Sequence, residues 1–225
     1  MYSVEWLIPN EKKKDLSLFI GEFSAIKVEK DLHCLKKIEN DIFEKIKSKF
    51  TVDSLKDDPK VRSYRDFFWR WKIADPTRVR PASEALIRRI LINNNIWKIN
   101  TFVNTYNLAS AISGVSLGAY DKDTILAPLY VRFAETDEPF LGIGSSKARN
   151  LSGKELVLAD RKGIISLYPH RDADRTKISL ETKKALLVAF GVPGISQEEL
   201  RFSIEKTAEI LNQIDGGKLE NLYSS

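Results

Sequence analysis

The chain has 225 residues, of which 43% are hydrophobic and 30% charged, with a formal net charge of +5. That composition suits one large domain, or a domain with an N-terminal extension, and no apolar run approaches the ~18–20 residues that span a bilayer. The single cysteine, Cys34, excludes an intrachain disulfide and a multi-cysteine metal site.

The first residues, "MYSVEWLIPNEKKKD", place their lysines after the apolar residues, so they do not read as a secretory signal. A reduced, cytoplasmic protein that does not enter a membrane is expected. "EWLIP" and "LFIGEFSAIKV" are short apolar runs that resemble strands. Residues 31–50 follow with Leu32, Leu35, Ile38, Ile42, Ile46 and Phe50 at steps of three and four. That period predicts an amphipathic helix. His33 lies within it and has no second ligand nearby, which favours a structural or exposed role.

"VRSYRDFFWRWKI" reads as helical and aromatic, and the prolines of "ADPTRVRPAS" make a loop. Ser83 is placed to cap the next helix, "EALIRRILI", with Glu84 in its first turn. From Lys60 to Lys98 there are ten Lys/Arg against three acids, an excess larger than that of the whole chain. Trp69, Trp71 and Trp97 lie in the same stretch. Arginine beside aromatic surface suits RNA, whose phosphates pair with guanidinium and whose bases stack on rings. The other reading is a helix with solvated cations outside and tryptophans in the core.

A further helix is predicted from Asn100 or Thr101 to Ser113, ended by Gly114. Asn100, Asn104 and Asn107 share one of its faces. Asparagine is a poor mid-helix residue, so this stripe needs a reason. Two are open: a buried hydrogen-bond network that fixes neighbouring loops, or a ligand-facing row that orients an ester, amide or base edge.

After Gly114, "VSLGAY", "LYVRFAE", "ELVLAD" and "GIISLYP" are short, β-rich and punctuated by Gly, Asp and Pro. "LGIGSSKA" at 141–148 looks superficially like a phosphate-binding loop, but two glycines make too weak a signal for a nucleotide site. His170 follows a strand and a proline, in "YPHRDADRTKISLET". Histidine suits proton transfer near neutral pH. Asp172 and Asp174 are placed to polarise it, and Thr176 and Thr182 to orient a water. The same stretch also reads as a solvated loop before a helix over the apolar residues 182–190. Ser196 with Glu199 forms a capping box for a last helix to about Ile214, and the tail after "DGG" reads as loose. Helices, then strands, then helices argue for an α+β fold.

Four stretches occur in order: "YRDFFWRW…DPTRVRPASEALIRRIL", "KINTFVNTYNLASAISGVSLGAYD", "ELVLADRKGIISLYP" and "HRDADRTKISLETKKALLV". Together they resemble the free-standing proteins related to the B-three/four domain of the phenylalanyl-tRNA synthetase beta subunit, over about residues 60–217. The resemblance implies a central antiparallel or mixed sheet, or barrel-like β core, flanked by helices. The expected organisation is an N-terminal segment at 1–58, the main domain at 59–217 and a tail at 218–225. In the synthetase this domain hydrolyses the ester of a wrongly attached amino acid, notably tyrosine, on the tRNA 3′ end.

"NTYN" is similar to the family's D-x-x-N pocket helix, with Asn104 where the acid is expected. "HRDADRTKISLET" resembles the family's polar loop, matching Thr176 and Thr182. "RPASEALIRR" resembles its R-P-S-x-E-A-L element, matching Arg80, Pro81, Ser83 and Glu84. The reading that results is a tRNA-interacting aminoacyl-ester hydrolase with no metal, no cofactor and no DNA partner. Its catalytic candidates are His170, Thr176 and Asn107, with His170 nominated on position and chemistry alone. Asn100, Asn104, Thr182, Arg171 and Asp174 would hold substrate. Arg65, Arg70, Arg80, Arg88 and Arg89 would meet the RNA backbone. Two alternatives are a non-catalytic RNA-binding module and a pocket for a free amino-acid derivative.

Overall fold

The computed structural model describes residues 2–73 and 75–225. The N-terminal apolar runs form strands β1 (Val4–Leu7) and β2 (Ser17–Ser24), separated by a short helix α1 (Asn10–Lys13). Helix α2 (Lys36–Lys49) follows a 3-10 turn at His33–Leu35, so it starts later than the apolar period suggests. Its Ile42, Phe43 and Ile46 are buried, while His33 and Cys34 are exposed. Helix α3 (Pro59–Arg70) opens with proline at its first position, and the Asp58 side chain accepts from the amides of Lys60 and Val61.

Helix α4 (Ala82–Asn93) is preceded by Pro81, not capped by Ser83. Ser83 sits inside the first turn, wholly buried, and its hydroxyl has no hydrogen-bond partner. Helix α5 (Thr101–Ser113) has the predicted bounds. The Asn100 side chain caps it by accepting from the Val103 amide at 2.8 Å, and Gly114 ends it with φ 74°.

The strands then come in quick succession: β3 (Leu117–Asp121), β4 (Leu129–Phe133), β5 (Thr136–Phe140), β6 (Arg149–Ser152), β7 (Leu156–Asp160), β8 (Gly163–Leu167) and the short β9 (Arg171–Asp172). Residues 182–190, expected to be helical, instead give strand β10 (Ala185–Gly191), every residue of which is buried. Helix α6 (Gln197–Gln213) carries the full Ser196–Glu199 capping box. The tail expected to be loose is strand β11 (Lys218–Ser224).

The fold is α+β, with its strands in open sheets and not in a closed barrel. One sheet runs β11-β2-β10-β3, all antiparallel; a second runs β1-β4-β7-β8-β9; β5 and β6 form a hairpin. Within the second sheet only β1 against β4 is parallel. Helix α6 lies on β10 and β2 and packs against α5, which in turn meets α2 and α4. β2 is thus an inner strand of the main sheet, between β11 and β10, although it comes from the N-terminal segment. Buried tyrosines pin the layers together. The Tyr64 hydroxyl of α3 donates to the Phe190 carbonyl at 2.7 Å and accepts from the Ser116 amide at 3.1 Å. Tyr168 donates to the carbonyls of Ser17 and Gly191, which ties the stretch after β8 to the first sheet.

Candidate functional site

Backbone pairing fixes residues 170–174 on two sides. Asp172 faces Ser166 across the β8–β9 ladder, and the Ala173 amide donates to Ile165. On the other side the Ile143 amide donates to Asp172, and the Asp174 amide donates to Leu141. The polar stretch is therefore a rigid inset between β8 and residues 141–143, where chain entropy is already spent.

Two groups of side chains open from this inset. The first surrounds Asp172. The Tyr120 hydroxyl of β3 donates to Asp172 Oδ1 at 2.9 Å. Tyr120 and Ser166 are buried, while Asp172, Tyr106 and Asn107 are partly exposed. Gly118 lets this pair pack directly against β3: a Cβ there would lie 2.5 Å from the Tyr120 hydroxyl and 3.0 Å from Asp172 Oδ1. A glycine inside a strand at such a close approach is a spatial requirement. Burial pushes the Asp172 carboxyl up to about 6, although the Tyr120 and Ser166 hydroxyls and Arg171 oppose the shift. Burial and the nearby Asp172 charge also push the Tyr106 and Tyr120 phenols up, so both remain protonated donors. A carboxyl that titrates near neutrality is chemically suited to take a proton from water.

The second group is a cationic cavity of about 270 Å³ lined by Phe140, Gly142, Ser145, Lys147, Arg149, His170 and Arg171. Its lining has four basic side chains and no carboxylate. The His170 ring stands edge-on to Phe68 at 5.9 Å. Burial lowers its pKa, with the positive charges of Arg149 and Arg171 acting in the same direction. Arg171 donates to the Ile143 carbonyl at 2.7 Å and to Ser145 Oγ at 3.2 Å, which holds the glycine loop against the histidine.

A family model described as the B3/4 domain matches residues 63–213, two thirds of the sequence. The chain belongs to the B3/4 domain family. Among curated relatives it is similar to the phenylalanine–tRNA ligase beta subunit of Haemophilus ducreyi, at 27% identity over 118 residues, covering 52% of this chain and 15% of that subunit. The corresponding subunit of Tropheryma whipplei is 29% identical over 134 residues, covering 58% of this chain and 14% of the subunit. The chain thus spans about 15% of the length of the curated relatives it matches. The N-terminal fragment of the phenylalanyl-tRNA synthetase beta subunit from Pyrococcus horikoshii shares the fold. The TM-score is 0.50 at 13% identity, over 100% of this chain and 56% of that one.

Within this B3/4 domain the residues singled out from sequence separate. His170 and Arg171 line the cationic cavity; neither Thr176 nor Asn107 is among its lining residues. Thr176 is wholly buried, with its hydroxyl unpartnered. Thr182 donates to Asp121 at 2.7 Å and accepts from the Ser179 amide, a clasp between two loops. Asp174 pairs with Lys177.

The asparagine stripe resolves residue by residue. Asn100 is a cap. Asn104 accepts from the Ile99 amide at 2.9 Å and donates to the Trp97 carbonyl at 2.7 Å, so it holds the loop before α5. Asn107 alone keeps a partly exposed amide, next to Tyr106.

The five arginines divide as well, with Arg88 partly exposed in a hollow on α4 beside Ile92 and Trp97. Arg65 makes a bidentate pair with Glu84, whose side chain is 2% exposed, and Arg80 stands 3.7 Å from the same carboxylate. Arg89 lies over the Trp97 ring at 4.6 Å. Arg70 sits apart, at the end of α3.

Sequence reasoning undervalued Asp172, which it placed only as a partner for the histidine, and it passed over Tyr106, Gly118 and Tyr120. Their signals were a glycine inside the strand "LGAYD" and a tyrosine between two asparagines. Among the described residues no helix is long and apolar enough to cross a membrane, and no cluster of three or more His, Cys, Asp or Glu could hold a metal ion.

Proposed function

We propose that this B3/4 domain binds tRNA and hydrolyses a mischarged aminoacyl ester on its 3′ end, with Asp172 as the proton acceptor. The observation that supports this most is the Asp172 carboxyl itself: raised to about 6 by burial, held by the Tyr120 hydroxyl at 2.9 Å, and packed against Gly118, where no Cβ fits. In the reaction, Asp172 takes a proton from water as the oxygen attacks the ester carbonyl carbon. The tetrahedral intermediate then collapses, the bond to the ribose oxygen breaks, and Asp172 returns the proton to that oxygen. Free amino acid and deacylated tRNA result. An aminoacyl ester is already activated, so a placed water and one base suffice without a covalent nucleophile.

His170 moves to a different role in this reading. No hydrogen bond joins its ring to Asp172 or Asp174 among the described residues, and cations flank it, so it contacts the anionic end of the nucleic acid. Asn107 and Tyr106 face the aminoacyl group.

The test is deacylation of a panel of mischarged aminoacyl-tRNAs by the purified chain. At least one substrate should be hydrolysed faster than in a protein-free control, and Asp172→Asn should slow it by about a hundredfold or more. Rates equal to the control across the whole panel would sink the hydrolytic reading. Salt-sensitive tRNA binding without hydrolysis would instead select a binding module. That second reading draws on Asn104, an amide where the family has an acid and already committed to Trp97 and Ile99.

A further inference from the structure

Part of the basic excess between Lys60 and Lys98 is already engaged within the fold. Arg65 and Arg80 face Glu84, and Arg89 already covers the face of Trp97. Other cations make no ion pair among the described residues, and several of them line neighbouring hollows. They begin in the His170 cavity with Lys147 and Arg149, neither of which makes an ion pair among the described residues. The Phe68 ring carries the edge of His170 and also lines the next hollow, with Trp69, Lys72 and Asp75. Trp69 is 68% exposed, the most exposed of the large hydrophobic side chains described. Lys72 then lines a third hollow, where Arg70 and Lys154 stand beside Trp71. The Trp71 ring stacks on Phe133 with Lys12 over both rings.

Each hollow thus shares a residue or a ring contact with the next, and the exposed Trp69 stands among their cations. The only carboxylates among the lining residues of the three are Asp15 and Asp75, and Asp75 is engaged by the Thr77 amide and hydroxyl. Unpaired cations beside the exposed Trp69 ring match a phosphodiester strand whose bases are unstacked from a partner strand. A duplex hides its base faces and offers nothing to Trp69.

We propose that this line, from Lys147 and Arg149 through His170, Phe68 and Trp69 to Arg70 and Lys154, is a track for single-stranded RNA. Trp69 is a stacking platform, and the His170 cavity takes a phosphate at one end. The track rests on the tRNA reading above and gives it a place: an unpaired segment of the RNA runs along the end of α3, not along the Arg88–Arg89 face of α4.

Fluorescence anisotropy with labelled tRNA, at fixed low salt, tests both levels. Wild type should bind. The double variant K147E/R149E should bind at least about tenfold more weakly, and Trp69→Ala at least about fivefold more weakly. Arg88→Glu, on the other face, should stay within about twofold of wild type. All the changed side chains are at least partly exposed, and thermal melts confirm that each variant is folded. An unlabelled single-stranded oligonucleotide should displace the tRNA, and a blunt duplex of equal length should not. Wild-type binding that survives the track variants, or falls only with Arg88→Glu, overturns the track while leaving tRNA binding intact. Displacement by the duplex as readily as by the single strand overturns its occupant. No binding by wild type at low salt removes the tRNA reading and the track together.

Discussion

Asp172 has a carboxyl raised by burial to about 6, against 3.8 for the free group. The folded state therefore favours its protonated form. The stability this contributes is complete below pH about 4, is lost as pH rises through about 6, and is absent above. Asparagine mimics the neutral acid and can still accept from Tyr120. Asp172→Asn should therefore be more stable than wild type at pH 7–8, by about 2–3 kcal/mol, and indistinguishable from it near pH 4. Thermal melts at the two pH values check this. The same variant should lose hydrolysis, and the wild-type rate should climb through pH about 6 as the base ionises. A substitution that stabilises the protein while abolishing activity separates a functional carboxylate from a structural one. Gly118 gives the converse case at the same place. A Cβ there would meet the Tyr120 hydroxyl at 2.5 Å. Gly118→Ala should cost about 1–3 kcal/mol and displace the phenol from Asp172, which chemical denaturation and the pH–rate profile would read together.

At the scale of elements, the bidentate Arg65–Glu84 pair joins α3 to α4 and is structural, despite its position in the basic stretch. Arg65→Ala leaves a nearly buried carboxylate with only the more distant Arg80, and should cost about 3 kcal/mol without changing RNA affinity. Helices such as α2, α5 and α6 were legible because each carries a local signal: an apolar period, an asparagine cap with a terminal glycine, a capping box. Strand β10 was not. It lies between β2 and β3 and is covered on both faces, so "ALLVAFG" has no alternation to set it apart from a buried helix. Strand β11 failed for the opposite reason. It is a polar edge strand whose partner, β2, lies about two hundred residues earlier, and the pairing gives no mark in local sequence. Removing residues 218–225 should therefore bare the β2 edge and lower Tm by about 5–10 °C, with faster aggregation; a loose tail would leave Tm unchanged. The site was hidden in the same way. Asp172 and Tyr120 are 52 residues apart and meet only through the stacking of two sheets, whereas the nominated His170 and Thr176 share a loop and point to different surroundings.

For the whole molecule, a net charge of +5 understates what a nucleic acid would meet. Many cations are paired with acids across the surface, whereas Lys147, Arg149, Lys72, Arg70 and Lys154 line three hollows without ion pairs among the described residues. Counterion release depends on contacts made and not on net charge. Five phosphate contacts along a single strand predict a slope of log K against log salt of about −3.5. Replacing Lys147 and Arg149 by alanine should flatten that slope by about 1.4, because two contacts are lost. Trp69→Ala should weaken binding at every salt concentration and leave the slope unchanged, since stacking releases no counterions. Parallel lines for the tryptophan variant and a shallower one for the double variant would divide the track into its stacking and electrostatic parts. A slope near zero for wild type would mean that RNA does not bind through these cations at all.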